Sequence, residues 1–267
     1  MVFNYAILLP RWPSIRLTVA LEEQLLDKWG YGMNMEDIAS GPLVLINFKT
    51  YLEATGKLAV ELSRKIAEVG RKNGIKVGVA PQFCDISHVA AQEDVLVFGQ
   101  HVDAIEPGAF TGHILAESLK AAGASGVLLN HSERMIRLNE VQRAVNRSRE
   151  VGLLTVICAG NADLAAAASL MKPDMVAIEP PELIGSGRAV SKEKPELIEN
   201  SVRKIRAVNN SVRILCGAGI STGEDVYAAL KLGAQGILVA SGVIKAPNPA
   251  QVVSDFCEAA RRFDESG

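Results

Sequence analysis

The sequence predicts a closed barrel of eight parallel β/α units, a (β/α)8 single domain carrying an N-terminal extension. Three observations predict it. Short β-branched or leucine-rich runs alternate with helical stretches from residue 41 onward, and eight such runs fit into about 225 residues, the usual size of such a barrel. The runs are continuously apolar, as strands covered on both faces are. An open doubly wound sheet usually stops at about five to seven strands.

The first strand is expected over Leu43–Asn47, followed by a helix over 54–72. Strands then follow over 75–80, 95–100, 126–130, 153–158, 174–179, 212–217 and 236–240. Helices between and after them fall over 85–92, 114–122, 139–151, 162–171, 194–208, 223–232 and 249–263, with Gly or Asn marking several ends. Residues 41–267 form the barrel, and residues 1–40 precede the regular pattern. The start Ala6-Ile7-Leu8-Leu9 is cut short by Pro10, Arg11 and Pro13 and lacks a positive n-region, so it does not read as a secretory signal. A short amphipathic helix fits residues 15–29 (Ile15, Leu17, Val19, Leu21, Leu25, Leu26, Trp29) before Gly30, Gly32 and Asn34 interrupt it. The barrel is complete without residues 1–34, and Met35 is expected to be an adequate start.

Composition narrows the function. Hydrophobic residues make up 48% against 22% charged, and 28 Lys and Arg against 30 Asp and Glu leave a net charge of −2. No polyelectrolyte field draws nucleic acid or an anionic membrane, so any anionic ligand is held locally. No run reaches the roughly 20 apolar residues of a membrane span, and a soluble, cytoplasmic protein is expected. Cys84, Cys158, Cys216 and Cys257 lie far apart without a C-x-x-C pair and read as buried thiols in a reducing compartment. With no HExxH, paired Asp-x-Asp or His cluster, neither a metal nor another cofactor is expected.

Barrel active sites form at the C-terminal strand ends and the loops that follow. Polar side chains there are Asn47 and Lys49 after strand one, Gln100 and His101 after strand three, Asn130 and His131 after strand four, and Glu179 closing strand six. Strands seven and eight end in Cys216-Gly217-Ala218-Gly219-Ile220-Ser221 and Ala240-Ser241-Gly242, each before a helix. Small residues let backbone N–H groups reach an anion, and a helix N-terminus adds favourable partial charge. The pair of loops therefore reads as a phosphate cradle.

Each candidate has a plainer alternative. A lone lysine at a strand end is usually a solvated charge, and His131 alone fits a core histidine satisfied by backbone. Ser132 can N-cap the helix after His131, whose dipole disfavours imidazolium and favours a neutral, donating ring. Glu179 ends the run Met175-Val176-Ala177-Ile178, where a carboxylate is costly unless it stands at a mouth or is paired, so it reads as functional. His88, His101 and His113 read as structural or interface residues. Segment 180–188 has two prolines at one end and glycines near the other, which suits either an ordinary loop or a stiff lid that excludes water.

Asn47-Phe48-Lys49, Asn130-His131-Ser132-Glu133-Arg134, Glu179-Pro180 and the two glycine loops occur in an order that closely resembles the triosephosphate isomerases, over about residues 41–263. The resemblance implies the family's known division of labour. Glu179 would shuttle a proton between adjacent carbons, His131 would polarise the carbonyl as a neutral electrophile, and Lys49 would steady oxyanion and phosphate charge. Asn47 would orient the substrate, Glu133 would stand beside Lys49 behind the substrate, and Ser132 would support His131. Gly185, Ser221, Ala240 and Ser241 would supply phosphate donors. The substrates would be triose phosphates, glyceraldehyde 3-phosphate and dihydroxyacetone phosphate, in glycolysis and gluconeogenesis. The lid Pro180-Pro181-Glu182-Leu183-Ile184-Gly185, which lacks the usual Trp, resembles the compact archaeal form, as do Gly-Ala-Gly-Ile-Ser in loop seven and Ala-Ser-Gly in loop eight. That form implies a homotetramer, a dimer of dimers, with Gln100 to Gly112 reaching into a neighbour. Two rivals stay open: another phosphate-binding barrel enzyme of the sugar-phosphate epimerase type, and a non-catalytic sugar-phosphate-binding barrel.

Overall fold

The computed structural model describes residues 41–91 and 95–266; the expected extension, with its amphipathic stretch 15–29, lies outside the described residues. Eight parallel strands close into one barrel in sequence order. They are β1 (Leu43–Asn47), β2 (Lys76–Ala80), β3 (Leu96–Gly99), β4 (Gly126–Leu129), β5 (Leu154–Ala159), β6 (Met175–Ile178), β7 (Arg213–Gly217) and β8 (Gly236–Val239). β1 pairs with both β2 and β8, which closes the ring and leaves no edge.

Two cores explain why the runs are apolar throughout. Leu43, Leu45, Phe98, Val156, Met175, Leu215 and Leu238 fill the barrel interior. Their alternating neighbours, among them Val44, Ile46, Val97, Ile157, Val176 and Ile214, pack outward under the helices. Every residue of β1 is buried, so no position on it can be polar except at its end.

The helices are α1 (Lys57–Asn73), α2 (Ile86–Ala90), α3 (Ala116–Ala121), α4 (Leu138–Val151), α5 (Ala162–Ser169), α6 (Pro195–Val208), α7 (Gly223–Lys231) and α8 (Pro249–Asp264). Single helical turns at Val190–Glu193 and Ser241–Ile244 flank β7 and follow β8. The expected helix over 54–72 starts later, at Lys57, because Leu52–Ala54 wind into a separate 3-10 turn. The helix expected over 85–92 shortens to a turn and a half that buries only Ile86 and Val89. Strand six stops at Ile178, one residue short of Glu179, although the Glu179 N–H still donates to Ala159 O at 2.9 Å. That last ladder bond holds Glu179 at the rim.

One thiol departs from expectation. Cys158, Cys216 and Cys257 are buried, but Cys84 is exposed on the turn Phe83–Asp85 after β2, where the chain has left the sheet. No described helix is long and apolar enough to cross a membrane.

The loop after β3 is clamped at its base. Asp103 N donates to Ile114 O and Ile114 N donates to Asp103 Oδ2, at 3.0 and 2.6 Å, while buried His101 meets Asp103 Oδ1 at 3.2 Å. Burial pulls the His101 pKa down, consistent with the structural role expected of it. Phe110, at the tip, is 45% exposed and stacks edge-on against His113.

Candidate active site

The site is assembled from the rim inward, beginning where β1 ends. Asn47 is buried, and its Oδ1 accepts the Lys49 N–H at 2.9 Å. This short bridge turns Lys49 into the left-handed region, φ +48, unusual for a residue with a Cβ. The turn aims the side chain across the mouth, where Nζ pairs with Glu133 Oε1 at 2.6 Å. The expected neighbourhood of Lys49 and Glu133 is therefore present.

After β4, Asn130 also takes a left-handed conformation, φ +58, and its Oδ1 accepts from Ile136 N at 3.2 Å. His131 follows, buried. Here the structure corrects one expectation. The cap of the 3-10 turn Ser132–Arg134 is the His131 ring, whose Nδ1 accepts the Glu133 N–H at 3.1 Å; Ser132 is the first residue inside the turn. A ring nitrogen that accepts carries no hydrogen, so this bond selects the tautomer with its hydrogen on Nε2. Nε2 points at Glu179 and stands 3.8 Å from Oε2, beyond hydrogen-bond length.

Glu179 is buried, and its Oε2 has no hydrogen-bond partner among the described residues. Burial raises its pKa; a bond from the Cys158 thiol and the charge of Lys49 oppose that rise without cancelling it. Gly217, at the end of β7, leaves the space the carboxylate occupies: a Cβ there would lie 2.5 Å from Glu179 Cγ and 2.9 Å from Oε1. The sequence places neither Cys158 nor Gly217 beside Glu179. Cys158 reads as a core thiol and Gly217 as part of an anion loop, and nothing local says that both flank one carboxylate.

One cavity of about 210 Å³ joins these groups to the glycine loops. Asn47, Lys49, His131, Glu179, Gly185, Ser221, Ala240 and Ser241 all line it; Ser132 and Glu133 stand outside it. The segment 180–188 opens with the 3-10 turn Pro181–Leu183, tied to the following segment by the ion pair between Glu182 and Lys194. Its far end packs on loop seven, where Val190 N donates to Ala218 O at 3.2 Å and Gly219, φ +71, abuts the Arg188 carbonyl so closely that no side chain fits. At loop eight Ala240 is the N-cap of the turn Ser241–Ile244, and Ala240, Ser241 and Gly242 line the cavity. Ser221 departs from the picture of an open donor. Its N–H and Oγ are directed at Asp225 Oδ2, at 3.1 and 3.4 Å, as part of the cap of α7. Among the described residues no group of three or more His, Cys, Asp or Glu side chains is placed to hold a metal.

A closed parallel barrel with a carboxylate, an imidazole and a lysine at its C-terminal mouth, beside two small-residue loops, has the form of a barrel enzyme for proton transfer on a small anionic substrate. The sequence profile described as triosephosphate isomerase matches residues 42–259. A triosephosphate isomerase of Methanosarcina acetivorans is 48% identical over 215 residues, spanning 80% of this chain and 97% of its own length. That of Methanocaldococcus jannaschii is 45% identical over 80% of this chain and 98% of its own. A crystal structure of triosephosphate isomerase from Bartonella henselae, 22% identical, superposes with a TM-score of 0.65 over 80% of this chain and 98% of its own, which shows the shared fold. The chain belongs to the triosephosphate isomerase family, and is an isomerase.

Proposed function

We propose that this chain interconverts D-glyceraldehyde 3-phosphate and dihydroxyacetone phosphate through an enediolate, with Glu179 as the base. The carrying observation is the buried Glu179 carboxylate with one unpartnered oxygen, 3.8 Å from the His131 Nε2 and in one cavity with Lys49. Glu179 removes a proton from the carbon beside the carbonyl and returns it to the adjacent carbon, while His131 donates to the oxygen that becomes negative. Lys49 and Asn47 hold the oxygen end. The phosphate sits against Gly185, Ala240 and Ser241, and Ser221 joins once its donors turn from Asp225. The lid excludes water from the enediolate. Turnover of glyceraldehyde 3-phosphate to dihydroxyacetone phosphate in EDTA, followed by a coupled assay, tests this. A metal-dependent epimerase loses activity there, and a sugar-phosphate sensor has none.

The reading extends to a cytoplasmic enzyme of glycolysis and gluconeogenesis that assembles as a dimer of dimers. Phe110, exposed at the tip of a clamped loop, supports a contact with a second copy. Phe110→Asp is expected to reduce the mass seen by light scattering and to lower activity, and a monomeric parent protein would refute the assembly. Residues 1–40 are an extension outside the catalytic domain. A chain beginning at Met35 is expected to keep full turnover and the same unfolding temperature; a large drop in either would show that the upstream residues support the barrel.

A further inference from the structure

Lys49 occupies a backbone region that a residue with a Cβ leaves unless its surroundings hold it there. The side chain is a flexible stem of four methylenes, so the direction in which the backbone launches it decides where the ammonium arrives. What holds that backbone comes from elsewhere in the chain. Gln82, just after β2, and Gln100, just after β3, each donate Nε2–H to the Lys49 carbonyl, both at 2.7 Å. A carbonyl can only accept, so both amides must present their nitrogens, and the two lone pairs of this oxygen are both used. Gln100 also donates to Ala80 O at 3.0 Å, the same carbonyl that accepts the Phe48 N–H at 3.0 Å. With Asn47 Oδ1 on the Lys49 N–H, the peptide groups on both sides of Lys49 are pinned by side chains from three strand ends. Neither glutamine lines the cavity.

We propose that Gln82 and Gln100 are positioning residues that lock the left-handed turn at Lys49 and so place its ammonium over the substrate's oxygen and phosphate. The inference rests on the reading of Lys49 given above. Without the two donors the Lys49 carbonyl rotates toward ordinary backbone, and Nζ moves off the line between Glu133 and the cavity. Substrate charge is then met late and loosely, so KM rises along with a fall in kcat.

A double-mutant cycle tests this. Gln82→Leu and Gln100→Leu are each expected to lower kcat/KM by about tenfold, the scale of one positioning hydrogen bond, with part of the loss appearing in KM. In a Lys49→Met background the same substitutions are expected to change kcat/KM by less than about twofold, because there is no ammonium left to misplace. A purely structural role would keep its full effect in both backgrounds, and that result overturns the proposal. So do glutamine variants as active as the parent beside an inactive Lys49→Met enzyme, which leaves the isomerase reading intact. An active Lys49→Met enzyme overturns the role of Lys49 itself and the inference with it. Should either leucine variant fail to fold, Gln82→Asn and Gln100→Asn, which withdraw the amide by one methylene, run the same cycle.

Discussion

Glu179→Gln is expected to lower turnover by at least about 10²–10⁴-fold, the usual cost of a lost general base. The substitution keeps the volume of the group and removes its basicity and charge, while the phosphate donors stay intact, so binding of a phosphorylated analogue should change far less. An enzyme that still isomerised triose phosphates at near the parent rate would refute the assignment of Glu179. The same residue sets the acid side of the pH profile. Burial holds its pKa above the ordinary value of 4.5, and only the carboxylate can accept a proton. Activity is therefore expected to be lost, as pH falls, at a pH above that of an exposed glutamate.

Stability should respond with the opposite sign. A carboxyl whose folded pKa is raised contributes most below its unfolded value, and that contribution is lost as pH rises through the folded value. At neutral pH, where the unfolded carboxyl is ionised, Glu179 thus weighs against folding. Glu179→Gln is expected to unfold at a higher temperature than the parent near pH 7, with the gap closing below about pH 4.5. Equal unfolding temperatures across that range would show that Glu179 is not held in a costly charged state.

Gly217→Ala is expected to produce the second largest loss, about 10²-fold in kcat, the order that a misplacement near 1 Å can cost. The new methyl would lie 2.5 Å from Glu179 Cγ, so the carboxylate must shift off its line toward the substrate. Because β7 is buried along its length, the backbone cannot retreat to make room. The test is a comparison of kcat with the affinity for a phosphorylated analogue, which should hold closer to the parent value. An alanine enzyme with parent kcat would show that Glu179 tolerates displacement.

The proposed catalytic trio is legible because its members stand out from their own stretches of sequence. Glu179 ends a run of buried apolar residues, Lys49 follows a strand with no exposed position, and His131 stands at a strand end in a motif. The supports were less visible. Gln82 sits in an unremarkable turn, Cys158 alternates with core residues on β5, and Asp225 reads as part of a helix cap. The sequence suits Ser132 to the capping role that the His131 ring fills, since spacing cannot say which of two adjacent side chains turns back onto the chain.

The sequence by itself determined the number of β/α units, the order in which they close, and the strand ends that bear the acid, the imidazole and the lysine. Those follow from periodicity and from polar residues set where burial forbids them, which are properties of neighbours along the chain. Only the tertiary structure decided that Oε2 of Glu179 lies 3.8 Å from the imidazole, that Gly217 makes its space, and that two glutamines from other strands hold the Lys49 carbonyl. These pairs are separated by 33 to 51 residues in the case of the glutamines. Barrel closure and strand register alone bring them together, and a side chain's partner across the barrel leaves no mark on its own stretch of sequence.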